Sequence, residues 1–375
     1  MREVVILGVG MHKFGRFDGM DFTEMGSVAI QNAMKDADIV WKDIEAAFCG
    51  NTYGDTASGH RIVAQIGLTG IPIVNVENAC SSSGSALRLA YQEIAAGIYD
   101  TVLAFGWEQQ PRGFITSTAF PAYQRAMGMS ILPAQYAMLA RRHMVEYGTT
   151  VKHLAKISVK NHKNGYYNPY AHYQVLLTEE QVLNSRMVCD PLTLYMCCPT
   201  SHGAAAAVLC SKTKARRYTT KPITVAAAVL ASGKYQSPAC DHINYYMGSA
   251  VELSGKLAYE AAGLGPEDIN IVETHEAMAN AEIEQCEELG ICEKGEYTQL
   301  LDAGETEITG RIPVNPSGGL LARGHPLGAT SLAQVAEVVW QLREQAGPRQ
   351  VNNPKVGLCH TTGSGPNSCV TILKK

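Results

Sequence analysis

Cys80 is the first residue whose position suggests chemistry, within the segment ENACSSSGS at residues 77–85. A strand is predicted to end and a helix to begin here, so the thiol faces the free N–H groups and the positive end of the helix dipole. Both features lower the pKa of a thiol and favour the nucleophilic thiolate. A buried structural cysteine in a serine-rich turn shows the same pattern, so this segment alone leaves both interpretations open.

Two histidines in the second half of the chain lie in predicted loops, His275 just after a predicted strand and His325 just before a predicted helix. His275 lies in ETHEAM (273–278) between Glu273 and Glu276, and the spacing does not decide which carboxylate is near the imidazole. A structural hydrogen-bonding role fits this histidine as well. His325 lies in NPSGGLLARGHPLGA (315–329), where clustered glycines require a sharp turn before a helix. Such a rigid turn suits a base that must be held near a thiol.

The last segment of this kind is LCHTTGSG at residues 358–365, directly before a predicted strand. Backbone N–H groups in a glycine-rich turn, here around Gly363, can form an anion site or an oxyanion hole. Cys359 and His360 at its entry are candidates for moving protons. An ordinary hairpin is equally compatible with this segment taken alone.

The composition indicates a folded protein and excludes several classes. Apolar residues make up 46% and charged residues 18%, which predicts a sizeable core. The net charge of −4, without long charge runs, lacks the electrostatic pattern of a nucleic-acid binder. No apolar stretch reaches the ~20 residues of a membrane helix. The N-terminus lacks a signal-peptide core, so we expect a cytoplasmic protein whose 11 cysteines are mostly buried thiols.

The elements around these residues predict a layered α/β fold with buried sheets. Strands are predicted at 4–9, 44–49, 73–76 and 101–105, with helices at 22–37 and 81–96. The second half repeats this order with a helix ending at 262, a strand at 269–273, a helix at 330–341 and a strand at 369–373. Between the halves lies a region without strand rhythm, with helices predicted at 134–147 and 151–164. The run at 204–210 is predicted to be an edge strand of the first sheet.

Together the four segments resemble the signature stretches of the thiolase family, in the same order along the chain. They correspond to the family's nucleophile loop (Cys80), its Asn- or His-Glu-Ala stretch (His275), its Gly-His-Pro loop (His325) and its C-terminal Cys-x-Gly loop. The run GGLLARGHPLGA at 318–329 is highly specific. The segment PLTLYMCCPTSHGAAA at 191–206 is similar to a stretch of the sterol-carrier-protein-type branch.

The resemblance implies an α/β thiolase fold of two similar halves. Each half would be a mixed five-stranded sheet, with helices and sheets stacked in five layers (αβαβα) and a helical loop insertion. The implied N-terminal half comprises residues 1–110 and 196–230, the inserted loop domain 111–195, and the C-terminal half 231–375.

The resemblance also implies a mechanism. His325 takes the proton of Cys80, the thiolate attacks the 3-oxo group of a 3-oxoacyl-CoA, and an acyl group remains on Cys80 until free coenzyme A removes it. One oxyanion site is formed by the His275 and His325 side chains. The other uses the backbone N–H of Cys80 and one from the Gly363 turn. Coenzyme A is a substrate, and no metal or redox cofactor is expected.

The chain departs from the commonest family pattern at two places. Most thiolases carry Asn where this chain has His275, and many members of the sterol-carrier branch carry Cys where it has Ala277. In the C-terminal loop, His360 aligns with the usual second acid/base cysteine, and Cys359 lies one place earlier. Either could be the second acid/base, and we prefer Cys359.

The implied partners are acyl-CoA, coenzyme A, a second copy of the chain in a homodimer, and a small OB-fold zinc-containing protein; neither nucleic acid nor membrane is expected. A decarboxylating ketoacyl-synthase-like enzyme, a retro-aldolase and a non-catalytic scaffold subunit are the alternatives. We expect a bulky or aromatic acyl group, such as a benzoylsuccinyl-CoA type. An apolar set in the insertion is a candidate lining for its pocket, although ordinary core packing explains the set equally: Phe114, Phe120, Tyr123, Met127 and Met129.

Overall fold

The computed structural model describes residues 1–113, 122–128, 130–218, 221–234, 248–364 and 366–375. Its strands are β1 (Val4–Met11), β2 (Ala46–Gly50), β3 (Ile73–Val76), β4 (Thr101–Gln109), β5 (Met187–Cys189), β6 (Leu192–Thr193), β7 (His202–Ser211), β8 (Ile223–Ser232), β9 (Ile271–Glu273), β10 (Val356–Gly363) and β11 (Asn367–Lys374). Its helices are α1 (Phe22–Ala37), α2 (Ser58–Ala64), α3 (Ser82–Ala96), α4 (Ala122–Ala126), α5 (Leu132–Tyr147), α6 (Val151–Tyr166), α7 (Glu179–Leu183), α8 (Lys212–Ala215), α9 (Gly248–Ala262), α10 (Ala279–Glu288), α11 (Tyr297–Asp302) and α12 (Thr330–Leu342).

The main sheet is mixed and runs in the order β3-β2-β4-β7-β1-β8-β11-β10-β9. The pairs β2–β3, β2–β4 and β9–β10 are parallel, and the remaining neighbours are antiparallel. The first five strands in this order form the first half. Among the described residues the second half has four strands, one fewer than the resemblance implies, and a parallel bridge joins Val272 to Val314. Among the described strands, β1 and β8 pair across the two halves, over two residue pairs.

Helices cover both faces of the strands, as expected where parallel strands are buried on both sides. Helix α1 packs on β1, β4 and β7, whereas α9 packs on β8 and β11. Between them, α3 packs on β2 and β4, α12 packs on β10, and the two helices contact each other. The predicted α/β fold with mixed sheets and layered helices is therefore confirmed.

The glycines of β1 allow α1 to lie directly on the strand. A Cβ atom at Gly8 would lie 2.3 Å from the backbone nitrogen of Ala37, and one at Gly10 would lie 2.3 Å from that of Ala33. Any side chain at these two positions would push the helix away. The apolar, β-branched residues predicted this strand, but its glycines decide how closely the helix approaches it.

Two details differ from expectation. The run predicted as an edge strand is β7, which lies between β4 and β1 in the interior of the sheet and is buried at every position. Its small residues leave room for α1 on one side and α12 on the other. Strand β8 crosses the predicted boundary at residue 230 and pairs with β11 along its length, from Ser232 to Thr224. The division into domains stays a prediction.

The inserted region contains α5 and α6 where two helices were predicted. Helix α6 packs against α10 and against the π-helical turn Gly319–Arg323 in the glycine-rich loop. The insertion therefore supports two of the loops that carry candidate site residues. Among the described residues, no helix combines the length and apolarity that crossing a membrane requires.

Candidate functional site

A cavity of about 430 Å³ opens between the inserted region and the loops at the ends of the strands. Cys80, His275 and His325 all line it. The rest of its lining is mostly apolar and includes Leu132, Pro133, Tyr136, Tyr173, Val188, Leu194 and Met278. Its volume lies within the range of about 300–1,000 Å³ that is usual for small-molecule sites.

The three predicted residues converge although nearly 200 residues separate the first two. The sulfur of Cys80 and ring nitrogens of His275 and His325 lie within 4.8 Å of one another, and each residue is at most 4% exposed. The two imidazoles meet edge to face, with ring centroids 4.8 Å apart. One thiol and two imidazoles are also zinc-ligand types, and the predicted absence of a metal stays a prediction.

A strained turn presents Cys80 to the cavity. Ala79 has a φ of +49°, a left-handed conformation that costs a non-glycine residue of order 1 kcal/mol or more. The hydroxyl of Ser82, at the start of α3, donates to the Ala79 carbonyl at 2.6 Å and holds the turn. On the other side, a Cβ atom at Gly363 would lie 2.3 Å from the carbonyl oxygen of Asn78. Glycine at 363 thus lets the C-terminal loop approach the nucleophile loop.

The surroundings of Cys80 raise the pKa of its thiol to about 12. Burial is the largest cause, and the nearby carboxylate of Glu108 acts in the same direction. The backbone N–H groups of Cys80 itself and of Ser364 bond to the sulfur and lower the pKa, but by less. The expectation of a thiol with a lowered pKa was wrong, since Cys80 rests as a neutral thiol and needs a base at the moment of attack.

The hydrogen bonds of His325 make it a suitable base. The hydroxyl of Thr330 donates to the Pro326 carbonyl at 2.9 Å, so its oxygen accepts the proton on Nδ1 of His325 at 2.8 Å. This assignment leaves Nε2 unprotonated. Gln110 donates to the backbone carbonyl of His325 at 2.8 Å and fixes the turn. Burial lowers the imidazole pKa well below its usual value, so the ring is neutral.

His275 has one ring nitrogen without a protein partner. Its Nδ1 lies 3.1 Å from the hydroxyl oxygen of Thr362, and its backbone N–H donates to Gln285 at 2.8 Å. Within the described part of the chain, Nε2 is buried and has no hydrogen-bond partner. Burial lowers the ring pKa to about 3. A neutral imidazole with a free Nε2 can bind a ligand oxygen in the cavity when that nitrogen carries the proton.

In the described part of the chain, neither flanking glutamate forms a hydrogen bond with the His275 imidazole. Glu273 forms an ion pair with Arg323 at 3.0 Å, in which both side chains are at most 1% exposed. Glu276 accepts from the backbone N–H of Leu321 at 3.3 Å. Both carboxylates thus hold the π-helical turn that leads to the second histidine.

Cys359 and His360 do not line the cavity. Cys359 packs in the apolar core, and His360 lies between Gln285 at 3.2 Å and Ser368 at 3.1 Å. Their role as second acid/base stays a prediction, and their positions give it no support.

Two residues missed by sequence reasoning, Thr362 and Ser364, line the cavity instead. The alternation of side chains along β10 was the available signal for Thr362. It lies two positions after His360, so the two side chains point to the same face of the strand, opposite to Cys359. Beside the sulfur of Cys80, the C-terminal loop contributes the N–H of Ser364, one residue after the predicted Gly363.

The two described members of the predicted acyl-pocket set lie away from the cavity. Tyr123 and Met127 are 58% and 74% exposed and do not line the cavity. Phe114, Phe120 and Met129 lie outside the described residues. The cavity takes its apolar wall from α5 and from the segment around β5 and β6, because these elements are the ones that cover the ends of the strands.

The sequence matches two thiolase families along most of its length. "Thiolase, N-terminal domain" matches residues 4–213, and "Thiolase C-terminal domain-like" matches residues 235–375. The fold agrees with this match. The chain belongs to the thiolase family.

Curated relatives are similar over the whole chain. Acetyl-CoA acetyltransferase of Methanothermobacter thermautotrophicus is 41% identical, over 100% of both chains. Sterol carrier protein 2 of Oryctolagus cuniculus is 39% identical over 99% of this chain and 72% of its own. Benzoylsuccinyl-CoA thiolase subunit BbsB of Thauera aromatica is 38% identical over 97% of this chain and 95% of its own. A solved structure named "Ltp2-ChsH2(DUF35) aldolase" superposes with a TM-score of 0.88 at 26% identity, over 99% and 98% of the two chains.

Proposed function

We propose that this thiolase-family acyltransferase cleaves a 3-oxoacyl-CoA with coenzyme A, or performs the reverse condensation, through an acyl group on Cys80. The observation that carries the proposal is the meeting of one thiol with two neutral imidazoles at the wall of an apolar cavity. A thiol suits this chemistry because sulfur is both a good nucleophile and a good leaving group.

Nε2 of His325 takes the proton of Cys80 as the sulfur attacks the 3-oxo carbon. Charge then develops on two oxygens, one at the attacked carbon and one on the departing enolate, so two oxyanion sites are needed. The N–H groups of Cys80 and of the C-terminal loop, where Ser364 lies beside the sulfur, serve the first. Nε2–H of His275, together with His325, serves the second. Coenzyme A finally attacks the acyl group on Cys80.

The character of the cavity favours a bulky acyl group. Its wall is mostly apolar, which suits a branched or aromatic acyl chain, and its volume of about 430 Å³ is shared by that chain and the arm of coenzyme A that must reach Cys80. One relative is named as an acetyl-CoA acetyltransferase and another as a subunit of a benzoylsuccinyl-CoA thiolase. We propose that this chain acts on a substrate of the kind named for the second relative, a branched or aromatic 3-oxoacyl-CoA.

We further propose a homodimer that works with a small OB-fold zinc-containing protein. Two comparisons support the presence of a partner protein. BbsB is named as a subunit, and the name of the superposed structure contains two proteins, Ltp2 and ChsH2. Among the described strands, β3 lies at one edge of the main sheet and is partly exposed, with Val74 at 44%, so a second copy can pair with it.

Intact-protein mass spectrometry tests the function. The protein is incubated with acetoacetyl-CoA and with aromatic 3-oxoacyl-CoA esters, before and after free coenzyme A is added. We expect an acyl mass on Cys80 that coenzyme A removes, larger in yield for the aromatic esters, and absent from Cys80→Ser.

Retro-aldol cleavage is the second candidate, since the superposed structure is named an aldolase. It would release an aldehyde or a ketone from a 3-hydroxyacyl-CoA without any adduct. Cleavage of that substrate, unchanged in Cys80→Ser, would replace the thiolase proposal.

A further inference from the structure

A second thiol, Cys198, stands in the cavity between the two loops that carry the histidines. Its backbone N–H donates to the Ala277 carbonyl at 2.9 Å, which ties it to the loop that carries one histidine. Two residues later, Thr200 forms a parallel β-bridge with His325, which ties the same segment to the other loop. Residues 197–200 therefore cross the wall of the cavity, and all four line it.

The neighbouring candidates for proton transfer are placed less well. Cys197 also lines the cavity, but its thiol donates to the Thr193 carbonyl at 3.4 Å. Cys359 packs in the core, and His360 is held between two polar side chains away from the cavity. Since His325 accepts the proton of the nucleophile, the carbon–carbon step still needs a separate acid for the enolate carbon.

We propose that Cys198 is this second acid/base, an assignment that rests on the proposed thiolase function. In the cleavage direction its S–H bond breaks and a C–H bond forms at the α-carbon of the departing enolate. This leaves a Cys198 thiolate, which then takes the thiol proton of the incoming coenzyme A. The imidazolium of His325 returns its proton to Cys80 as the acyl group leaves, so every proton is accounted for. In the synthetic direction, the Cys198 thiolate removes the α-proton.

The surroundings of Cys198 agree with a proton donor. Burial raises the pKa of its thiol well above the usual value, so the resting group is S–H. The unpartnered Nε2 of His275 lies on the same cavity and can bind the enolate oxygen. The Cys198 thiol can thus protonate the carbon of the enolate while Nε2–H of His275 donates a hydrogen bond to its oxygen.

Hydrogen exchange at acetyl-CoA separates this step from acyl transfer. In D₂O, deuterium uptake into the methyl group of acetyl-CoA reports removal of the α-proton, whereas acetylation of Cys80 by the same compound does not involve that carbon. Both are followed by mass spectrometry in wild type, Cys198→Ala and Cys198→Ser. Cys189→Ala, a half-buried cysteine of the same region that does not line the cavity, is the matched control.

We expect both Cys198 variants to lose deuterium uptake at least about a hundredfold, the usual size of a general acid–base contribution. Acetylation of Cys80 should stay within about threefold, which also shows that the site is folded, and Cys189→Ala should match wild type. Uptake that survives in Cys198→Ala, or is lost in Cys359→Ala or Tyr136→Phe instead, overturns the assignment. If deuterium uptake depends on Cys198 but Cys80 is never acetylated, the thiolase function is refuted, whereas the acid/base role of Cys198 is retained.

Discussion

Raising the pH from about 7 to about 10 should accelerate alkylation of Cys80 by iodoacetamide about a thousandfold, without a plateau. The reagent reacts with the thiolate alone. With a thiol pKa of about 12, the thiolate fraction rises about tenfold for each pH unit over this whole range. A free cysteine with a pKa of ~8.5 would level off above that pH, so free cysteine titrated alongside is the control for the reagent.

The assay follows the peptide that contains Cys80 by mass spectrometry, at limiting reagent and several pH values. His325→Ala should alkylate at nearly the wild-type rate, because burial rather than the imidazole sets the resting pKa of the thiol. The same variant should lose acylation by acyl-CoA about a hundredfold or more, the contribution expected of a general base.

A rate that is already flat below about pH 8 in wild type and becomes pH-dependent in His325→Ala would refute this reasoning. It would mean that a thiolate–imidazolium pair already exists in the resting site. The neutral-thiol account of Cys80 would then have to be abandoned, along with the idea that the proton moves only during attack.

Two further predictions concern residues that hold the site. Thr330→Val leaves the Nδ1–H of His325 without its acceptor, a loss of about 1–3 kcal/mol, and should slow acylation of Cys80 roughly tenfold to a hundredfold in single-turnover assays. Thr330→Ser should keep most of the rate, and equal rates in the two variants would contradict the assignment of the His325 proton to Nδ1. Arg323→Met leaves the buried carboxylate of Glu273 without its ion-pair partner and should lower the free energy of unfolding in urea by about 3–5 kcal/mol. The double variant Arg323→Met, Glu273→Leu should recover part of this stability, and no recovery would mean that the two side chains are not coupled.

Much of the local structure was already determined by the sequence. The predicted limits of α1 and β3 agree with the structure residue for residue, because helical and strand periodicity are properties of neighbouring residues. Cys80, His275 and His325 stood out for a similar reason, since each lies where a strand ends or a glycine-rich turn begins. Residues at such points open onto the end of a sheet, where sites form.

Tertiary structure alone decided which side chains share the cavity. Local pattern could not place β7 in the interior of the sheet, because its neighbours come from distant parts of the chain. Cys359 and Thr362 lie on opposite faces of β10 through side-chain alternation, and only the packing on the two faces decides which of them lies in the core and which lines the cavity. The pKa of Cys80 is likewise a property of the folded state, because burial is its largest determinant and depends on the entire surrounding structure.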